Sequence, residues 1–334
     1  MSVYLITGAA GFIGYHLTKK LLDEGKRVIG IDSLNGYYDV ALKKDRLYEL
    51  KDYKLFNFYK LDISEKDSLR ELFEIARPDY VVNLAAYAGI PYSLKNPFAY
   101  QQANCDGFLN ILELIKEYPV RNFVYASSSS VYGNAVSPQH ENMDVTRPTN
   151  MYAASKAFNE MQAYVYNCNY GIPSTGLRYF TVFGPWARPD MMMYLWTRAL
   201  YNRMPVIMNN RGDMWRDFTY VDDIVDGTIA AINKTQNYGI YNLAGGRTTR
   251  IGDVLPILMN LIGISNPYTD MREMPQGEVI KTEGDITKAR LELGYDPKVT
   301  TEEGISRLIE WYDNYYDIWK PGSGSVKDFH TRYL

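Results

Sequence analysis

Near its N-terminus the chain carries three glycines at intervals of three residues, Gly8, Gly11 and Gly14. Residues 3–7 form a short apolar run before them and an amphipathic stretch follows, so a strand–turn–helix unit is predicted here. In such a unit the first glycine permits the sharp turn, the second lets the backbone approach a diphosphate, and the third lets helix and strand pack closely. The alternative is a glycine turn without a ligand, which the two flanking elements disfavour. This stretch therefore predicts a dinucleotide-binding unit.

A second strand is predicted at residues 28–31, and it ends at Asp32, 18 residues after Gly14. A carboxylate at this position accepts hydrogen bonds from the adenosine ribose hydroxyls and repels a 2′-phosphate. The alternative is an aspartate that only caps a turn, and its spacing from the glycines disfavours it. Asp32 thus favours NAD over NADP.

Apolar runs that end in small or polar residues continue to alternate with helical stretches up to about residue 180. The further predicted strands are 56–61, 80–84, 122–126 and 175–179, and the predicted helices are 104–117 and 152–169. Strands that alternate with helices of this length form a parallel sheet covered on both faces. The fold class predicted is α/β: a Rossmann-type, doubly wound parallel sheet with a smaller mixed α/β substrate lobe.

Beyond residue 180 the alternation becomes irregular. We predict a helix at 191–201, a strand at 216–220 that returns to the main sheet, and a helix at 223–233 capped by Asp222. Two more helices are expected after residue 248.

These elements suggest two structural units. Residues 1–182 plus 217–247 are predicted to form the cofactor domain, and 183–216 plus 248–334 a substrate lobe over the carboxyl edge of the sheet. A linker-like stretch is expected at 321–325, before a short polar tail.

Composition excludes several classes of function. The 334-residue chain has a net charge of -3, which gives no electrostatic footprint for nucleic acid, and no apolar run long enough to span a membrane. His16, His140 and His330 lie far apart without ligand-like neighbours, so no metal site is predicted. Cys105 and Cys168 are expected to be reduced, buried thiols of a cytoplasmic protein.

Tyr152 and Lys156 are four residues apart on a predicted helix and therefore share one face. A free phenol ionises only near a pH of about 10, and a neighbouring ammonium lowers that pKa. Tyr152 could then accept a proton from a substrate hydroxyl while a hydride leaves the same carbon. The pattern alone is weak, because most of the 30 tyrosines in the chain are expected to be packing residues.

Taken together, these motifs resemble the extended short-chain dehydrogenase/reductase family, over about residues 3–317. The motifs that carry the resemblance are Gly8, Gly11 and Gly14, Asp32, Asp62, 84–86, 131–133, Tyr152 with Lys156, and 216–218. Within the family the chain looks most like the nucleotide-sugar 4-epimerases acting on UDP-glucuronate. The segments 33–40, 181–191 and 216–223 carry this closer match.

The resemblance implies a tightly held NAD that acts catalytically. The positions implied to contact it are Gly8, Gly11, Phe12, Ile13, Gly14, Asp32, Ser33, Asn35, Asp62, Ile63, Leu84, Ala85, Ala86, Tyr87, Asn104, Tyr152, Lys156 and Tyr179. Tyr152 would take the proton of the sugar 4-hydroxyl, Ser128 would share the 4-oxygen with it, and Lys156 would hold the nicotinamide ribose. The resulting 4-keto sugar would turn over and be reduced on its other face.

The resemblance also implies the residues that hold the UDP-sugar. Arg216 would bind the diphosphate, because a guanidinium fork suits phosphate oxygens. The alternative for Arg216 is a surface ion pair with Asp217 or Asp222.

A 4-keto glucuronate is a β-keto acid and loses CO2 readily when the C5–C6 bond aligns with the carbonyl π system. Decarboxylases of the family look to carry an acidic residue directly before Val131, where this chain has Ser130. The substrate-binding set implied here is Ser128, Ser129, Ser130, Thr181, Arg188 and Arg216. Its hydroxyls could hold the carboxylate out of alignment, so retention of CO2 is favoured. Serines that only cap backbone groups at a strand end are the alternative.

Three positions depart from the family pattern, all on the substrate side. The chain reads Gly89-Ile90-Pro91 where an arginine is usual, Leu195 where a lysine is usual, and 275–278 as Pro-Gln-Gly-Glu instead of Gln-Pro-Gly-Asp. Epimerisation of a neutral or amino nucleotide sugar, decarboxylation of UDP-glucuronate, and an NAD-sensing binding protein without chemistry therefore stay open as alternatives.

Helices 98–117 and 152–169 match the pair that relatives pack into an intersubunit four-helix bundle. Their apolar residues Phe98, Phe108, Leu112, Met161 and Tyr164 suit a homodimer, and core packing would explain them equally well. From the family alone, the product is expected to serve polysaccharide biosynthesis.

Overall fold

The computed structural model describes residues 1–234 and 237–316. Its centre is a seven-stranded parallel sheet in the order β11-β6-β5-β4-β1-β2-β3. These strands are β1 (Val3–Thr7), β2 (Arg27–Asp32), β3 (Phe56–Lys60), β4 (Tyr80–Asn83), β5 (Asn122–Ser128), β6 (Ser174–Tyr179) and β11 (Tyr238–Leu243). The predicted Rossmann-type, doubly wound α/β fold is confirmed.

Helices cover both faces of the sheet. In chain order they are α1 (Phe12–Asp23), α2 (Val40–Glu49), α3 (Lys66–Ala76), α4 (Ile90–Lys95), α5 (Pro97–Tyr100), α6 (Gly107–Glu117), α7 (Met151–Tyr170), α8 (Met192–Tyr201), α9 (Val221–Asn233), α10 (Ile251–Ile262), α11 (Thr287–Leu293) and α12 (Thr301–Tyr315). Helices α1 and α9 pack on each other, as do α6 and α7. All five residues of β1 are buried, as expected for a strand with a core on each face.

The strand order reverses between β1 and β4, since the chain runs outward to β2 and β3 on one side and to β5 and β6 on the other. A crevice at the carboxyl ends of the strands opens at such a switch point. Gly8 follows β1 there, and the backbone of Ala85 follows β4 so closely that a Cβ on Gly8 would meet the Ala85 nitrogen at 2.8 Å. The fold therefore places the predicted cofactor motif at the edge where a ligand binds.

The strand predicted at 216–220 does not join the main sheet. It is divided into β9 (Trp215–Arg216), which pairs with β12 (Thr249–Arg250), and β10 (Phe218–Tyr220), which pairs with β7 (Thr181–Phe183). The break falls at Asp217, whose buried carboxylate accepts the backbone N–H groups of Gly245 and Gly284 at 2.6 and 3.2 Å. The edge of the sheet is taken instead by β11, which the sequence analysis did not identify.

Two further expectations need correction. Asp222 does not cap α9, because the helix begins at Val221 and Asp222 lies in its first turn. After residue 248 the described residues contain three helices, α10, α11 and α12, where two were expected; α11 is only seven residues long. A small parallel pair, β8 (Val206–Asn209) with β13 (Thr269–Arg272), completes this region.

The helix predicted at 104–117 begins earlier than expected, as a π-helical segment, Gln101–Asp106, that runs into α6. Cys105 is buried as expected, whereas Cys168 is exposed at the end of α7. The described helices include none long and apolar enough to cross a membrane. The linker expected at 321–325 lies outside the described residues.

Candidate active site

A cleft of about 890 Å³ lies along the carboxyl edge of the sheet. Of the residues predicted to bind cofactor or substrate, the following line it: Gly8, Gly11, Phe12, Ile13, Gly14, Asp32, Ser33, Asn35, Asp62, Ile63, Leu84, Ala85, Ala86, Tyr87, Ser128, Ser129, Ser130, Tyr152, Lys156, Tyr179, Thr181, Arg188 and Arg216. Residues that lie as far apart in the sequence as Gly8 and Arg216 thus line one cleft.

Asn104 is the one predicted residue that does not line the cleft. It is buried, and its side-chain amide accepts a hydrogen bond from the Tyr87 N–H at 2.8 Å and donates to the Tyr87 carbonyl at 3.0 Å. The same amide donates to Ser155 Oγ on α7 at 3.0 Å. Asn104 therefore holds the cleft wall at Tyr87 in place instead of forming it.

The glycine-rich turn fits a dinucleotide on its geometry. A Cβ on Gly14 would lie 2.0 Å from the Gly8 carbonyl oxygen, and one on Gly11 would lie 2.9 Å from the same atom, so neither position tolerates a side chain. Helix α1 begins directly after Gly11, with no side chain capping its first N–H groups. Unpaired N–H groups at the positive end of a helix dipole bind phosphate oxygens.

Asp32 is buried at the end of β2, where its carboxylate accepts the Leu34 N–H at 2.8 Å. Lys43, on α2, approaches the same carboxylate at 3.4 Å and donates to Asn35 Oδ1 at 3.2 Å. Lys43 is buried and lines the cleft beside Asp32, so it is a candidate for contact with a ribose. The sequence analysis missed it, although it lies only three residues beyond the matched segment 33–40.

Lys156 is buried on α7, and its ammonium donates to the Ala126 carbonyl at 2.7 Å. Burial lowers the pKa of Lys156 to about 8. Burial also raises the pKa of Tyr152 above its usual value, although the Ser128 hydroxyl and the Arg188 charge act in the opposite direction. The expected lowering of the Tyr152 pKa by Lys156 is therefore not seen, because the net shift is upward and the Lys156 ammonium is held at the Ala126 carbonyl near the end of β5.

Ser127 and Ser128 are adjacent but make different contacts. Ser127 Oγ donates to Glu160 on α7 at 2.5 Å, and Glu160 is held by a buried bidentate ion pair with Arg178. Ser128 Oγ accepts the Ser130 N–H at 3.1 Å, which starts the short helical turn Ser129–Tyr132. Ser128 therefore does cap a backbone N–H group, as the alternative interpretation of the serines expected. It also lines the cleft, as does Tyr152.

Arg188 lies in the loop after β7 and forms a bidentate ion pair with Asp190, with Nε and Nη2 at 3.0 and 2.6 Å from the two carboxylate oxygens. Its Nη2 also donates to the Ala88 carbonyl at 2.9 Å. Tyr37 donates to that carbonyl and to Asp190, so the matched segment 33–40 reaches the Arg188 loop. The third nitrogen of the Arg188 guanidinium, Nη1, makes no hydrogen bond to the described residues.

Arg216 is buried, and its Nη2 pairs with Glu278 at 2.9 Å while Nη1 donates to the Trp215 carbonyl. The alternative of a surface ion pair with Asp217 or Asp222 is wrong, because the partner is a cleft residue. Burial lowers the pKa of Arg216, and the charge of Glu278 opposes this.

All three departures from the family pattern lie on the cleft wall, at Pro91, Leu195 and Glu278. Two exposed cations, Lys95 and Arg198, also line it. Among the described residues no group of three or more potential metal ligands occurs.

Comparison with known proteins agrees with this geometry. The model of the NAD dependent epimerase/dehydratase family matches residues 4–244. The UDP-glucuronate 4-epimerase of Thermodesulfobacterium geofontis is 42% identical over 321 residues, which cover 96% of this chain and 99% of that protein.

Solved structures show the same likeness. The Bacillus cereus UDP-glucuronic acid 4-epimerase, in complex with UDP-glucuronic acid and NAD, aligns with a TM-score of 0.89 at 32% identity, over 94% of this chain and 100% of that one. The UDP-glucose 4-epimerase of Thermotoga maritima, with UDP-glucose, aligns with a TM-score of 0.84 at 30% identity, over 94% and 99%. This chain therefore belongs to the NAD-dependent epimerase/dehydratase family, in the extended branch of the short-chain dehydrogenases/reductases.

Proposed function

We propose that this protein is an NAD-dependent 4-epimerase that converts UDP-glucuronate to UDP-galacturonate through a transient 4-keto sugar and keeps the carboxylate. The observation that carries the proposal is the meeting of Tyr152, Ser128 and Lys156 with the glycine-rich turn in one cleft, closed on the substrate side by Arg188. Relatives with this activity cover nearly the whole chain.

The glycine turn, the uncapped start of α1 and the Asp32 carboxylate fit the diphosphate and ribose of NAD. When bound, NAD supplies the oxidant and reductant that make C4 of the sugar a ketone and restore it from the other face. Lys156, held at the Ala126 carbonyl, is placed to donate to the nicotinamide ribose. Asp32 and Lys43 are placed to hold the adenosine ribose.

Tyr152 is the proposed acceptor for the proton of the 4-hydroxyl. Ser128, which interacts with the phenol, is placed to share the 4-oxygen and to hold it while the sugar changes face. Burial raises the pKa of Tyr152, so the phenolate that would accept the proton needs stabilisation, which the Ser128 hydroxyl and the Arg188 charge supply.

Retention of the carboxylate is assigned to Ser129, Ser130, Thr181 and Arg188. Ser130 is an uncharged hydroxyl at the position where an acidic residue would repel a substrate carboxylate. The open Nη1 of Arg188 supplies a charged donor for the same group. A carboxylate held in this way is kept from aligning its C5–C6 bond with the C4 carbonyl.

A second candidate, 4-epimerisation of a neutral nucleotide sugar, is favoured by two uncharged residues. Pro91 and Leu195, which stand at two of the departures from the family pattern described above, place uncharged side chains on the cleft wall. The likeness to the UDP-glucose 4-epimerase of Thermotoga maritima supports this candidate. Decarboxylation is disfavoured by Ser130, and an NAD-sensing protein without chemistry is disfavoured by the retained Tyr152 and Lys156.

We also propose that the cofactor domain comprises 1–182 plus 217–247 and the nucleotide-sugar lobe 183–216 plus 248–334. The cleft supports this division, because residues of both segments line it, among them Gly8 of the first and Arg216 and Glu278 of the second. A cytoplasmic location, supported by the free thiols of Cys105 and Cys168, and a role in polysaccharide biosynthesis are part of the same proposal.

A homodimer through α6 and α7 is proposed as well. Phe98, Met161 and Tyr164 are exposed at 83, 47 and 54%, as the bundle requires, whereas Phe108 and Leu112 are core residues. On α7 the exposed face continues through Phe158 and Val165, at 45 and 51%. An apolar stripe of this kind on α7, with Phe98 on the neighbouring α5, suits the core of a bundle.

The test is incubation of the purified protein with UDP-glucuronate, without added NAD, followed by proton NMR of the sugar. Growth of UDP-galacturonate signals to a stable mixture is expected. A pentose or 4-keto pentose would contradict retention of the carboxylate. Turnover of UDP-glucose but not of UDP-glucuronate would support the second candidate instead.

A further inference from the structure

Arg46, on α2, is a fully buried arginine without an acidic partner among the described residues. Its Nη1 donates to the Ala10 carbonyl and the Tyr38 hydroxyl at 2.8 and 2.7 Å, and its Nη2 donates to the Trp186 and Ala187 carbonyls at 2.7 and 3.4 Å. Nε has no hydrogen-bond partner. Every acceptor of this guanidinium is therefore neutral.

Such an arrangement is costly for the fold. Arginine stays protonated in proteins, and a buried charge is unfavourable unless it is paired. A methionine of similar length would remove the charge but would leave the Ala10, Trp186 and Ala187 carbonyls without this donor. The side chain thus has a task other than filling the core.

His16, on α1, makes a matching contact. Its Nε2 lies 2.9 Å from the Pro185 carbonyl, which can only accept, so this nitrogen carries the hydrogen. Burial lowers the pKa of His16 to about 4, and the neutral ring suits a donor to a carbonyl. Together with Arg46 it binds three successive carbonyls, those of Pro185, Trp186 and Ala187.

The next residue along the chain is Arg188, whose side chain lines the cleft. The segment before it is also held by packing, because the centroid of the Trp186 ring lies 5.5 Å from that of Tyr15 and 5.3 Å from that of Trp311. The backbone of Trp186 is left-handed, with a φ of +59°. Arg46 further binds Ala10 within the glycine-rich turn, so one side chain joins the cofactor loop to the Arg188 loop.

We propose that Arg46 and His16 form a clamp on residues 185–187 that sets the position of Arg188, and thereby helps decide whether the 4-keto intermediate keeps its carboxylate. This inference rests on the proposed function. Neither residue lines the cleft, so both are positioning residues and act through Arg188.

The consequence of a loosened clamp follows from the chemistry of a β-keto acid. If the carboxylate turns so that the C5–C6 bond aligns with the C4 carbonyl, that bond breaks and CO2 leaves. Its electron pair forms the enolate of the C4 ketone, and a proton added at C5 completes a UDP-4-keto-pentose. A pentose product therefore reports on the position of Arg188. A loss of overall stability alone would not produce a pentose.

The experiment compares Arg46→Met and His16→Leu with the wild type, with Arg46→Lys and His16→Gln as variants that keep a donor. Leu69→Ala is the control. Leu69 is fully buried on α3, in a hydrophobic cluster separate from the one that contacts Trp186, so its truncation should destabilise the fold without affecting the 185–187 segment. Three quantities are measured on each protein: hydrogen–deuterium exchange of a peptide spanning 184–191, the KM for UDP-glucuronate, and the ratio of pentose to UDP-galacturonate by NMR.

In Arg46→Met we expect the 184–191 peptide to exchange at least about tenfold faster. The KM for UDP-glucuronate should rise roughly tenfold to hundredfold, with a pentose fraction that the wild type lacks. His16→Leu should change the same quantities less, because it frees one carbonyl, and His16→Gln should restore them. Leu69→Ala should change none of the three.

Exchange of 184–191 that equals wild type in both variants would overturn the clamp. Faster exchange with an unchanged pentose ratio would overturn its part in carboxylate retention. If the wild-type protein does not turn over UDP-glucuronate, the proposed function fails, while the exchange measurement still tests the clamp on its own. Should Arg46→Met not fold, His16→Leu supplies all three measurements.

Discussion

Nη2 of Arg216 lies 2.9 Å from Oε2 of Glu278, so the cation proposed to bind the diphosphate already has an anionic partner within the cleft. A diphosphate that enters meets the negative charge of Glu278 beside the arginine. Glu278→Gln keeps an acceptor oxygen for Arg216 and removes the charge. Because partly exposed like charges interact by up to about 1 kcal/mol, we expect UDP to bind up to about fivefold more tightly, by isothermal titration calorimetry.

Two variants bracket that result. Arg216→Met should weaken UDP binding roughly tenfold to hundredfold, since hydrogen bonds to charged groups contribute about 1.5–3 kcal/mol. Glu283→Gln removes a charge five residues away that pairs with Lys281 and does not line the cleft, so it should leave UDP affinity unchanged. Weaker binding in Glu278→Gln would mean that Glu278 serves to orient Arg216.

Tyr152→Phe removes the proposed proton acceptor and little else. The ring stays in contact with Tyr100, whose centroid lies 6.2 Å away, so the cleft should keep its shape. General acid–base catalysis contributes about 10²- to 10⁴-fold, and kcat should fall by that factor while NAD content, measured by absorbance after release, stays at the wild-type level. Turnover close to wild type would exclude Tyr152 as the acceptor.

Lys156 is 2% exposed and charged at neutral pH, so it should destabilise the cofactor-free protein. Its pKa is lowered to about 8 by burial. Below that pH the lysine is protonated in both the folded and unfolded states, and the cost of burying the charge is present in full. Above it the folded protein loses the proton first, so the free energy of unfolding of the wild type rises with pH toward the unfolded pKa.

Lys156→Met should therefore be inactive yet more stable at pH 7, by roughly 2 kcal/mol once the lost bond to the Ala126 carbonyl is deducted. Urea unfolding of cofactor-free protein measures this difference, and it should shrink between pH 7 and pH 9.5. A variant less stable than wild type at pH 7 would show that the Ala126 contact outweighs the burial of the charge.

Arg188→Gln tests recognition of the uronate. The variant loses the charged Nη1 donor, so the KM for UDP-glucuronate should rise roughly tenfold to hundredfold. Binding of UDP alone should stay within about twofold of wild type, because the diphosphate is assigned to a different arginine. An equal loss of affinity for UDP would indicate that Arg188 binds the nucleotide, and would favour 4-epimerisation of a neutral nucleotide sugar.

Local signals explain what the sequence could predict. The turn from Gly8 to Gly14 and strand β1 were located correctly, because a strand, three spaced glycines and an amphipathic helix lie within about twenty adjacent residues. The placement of Tyr152 and Lys156 on one face of a helix could also be predicted, since residues four positions apart on a helix share a face.

Contacts between residues that are distant in sequence could not be predicted in this way. Glu278 reaches Arg216 across 62 positions, and Arg46 reaches Trp186 across 140. Short strands were equally hard to predict: β10 has only three residues, it pairs with β7, and Asp217 directly before it binds the backbone of Gly245 and Gly284. The site was thus predicted as a set of residues, while the ion pairs that tune its charges depend on tertiary packing.

The exposed face of α7 predicts the oligomeric state. Phe158 and Val165 lie seven residues apart on this face, so Phe158→Lys with Val165→Lys would place two charges in the proposed bundle. A stable interface buries about 1,200–2,000 Å², and two buried lysines at its centre should separate the subunits. Sedimentation equilibrium should then report 38.4 kDa in place of twice that mass. Ile75→Lys is the matched control, because Ile75 lies on α3 and is 78% exposed, and this variant should stay dimeric. A wild-type protein that sediments as a monomer would contradict the bundle. The apolar face of α7 would then need another partner.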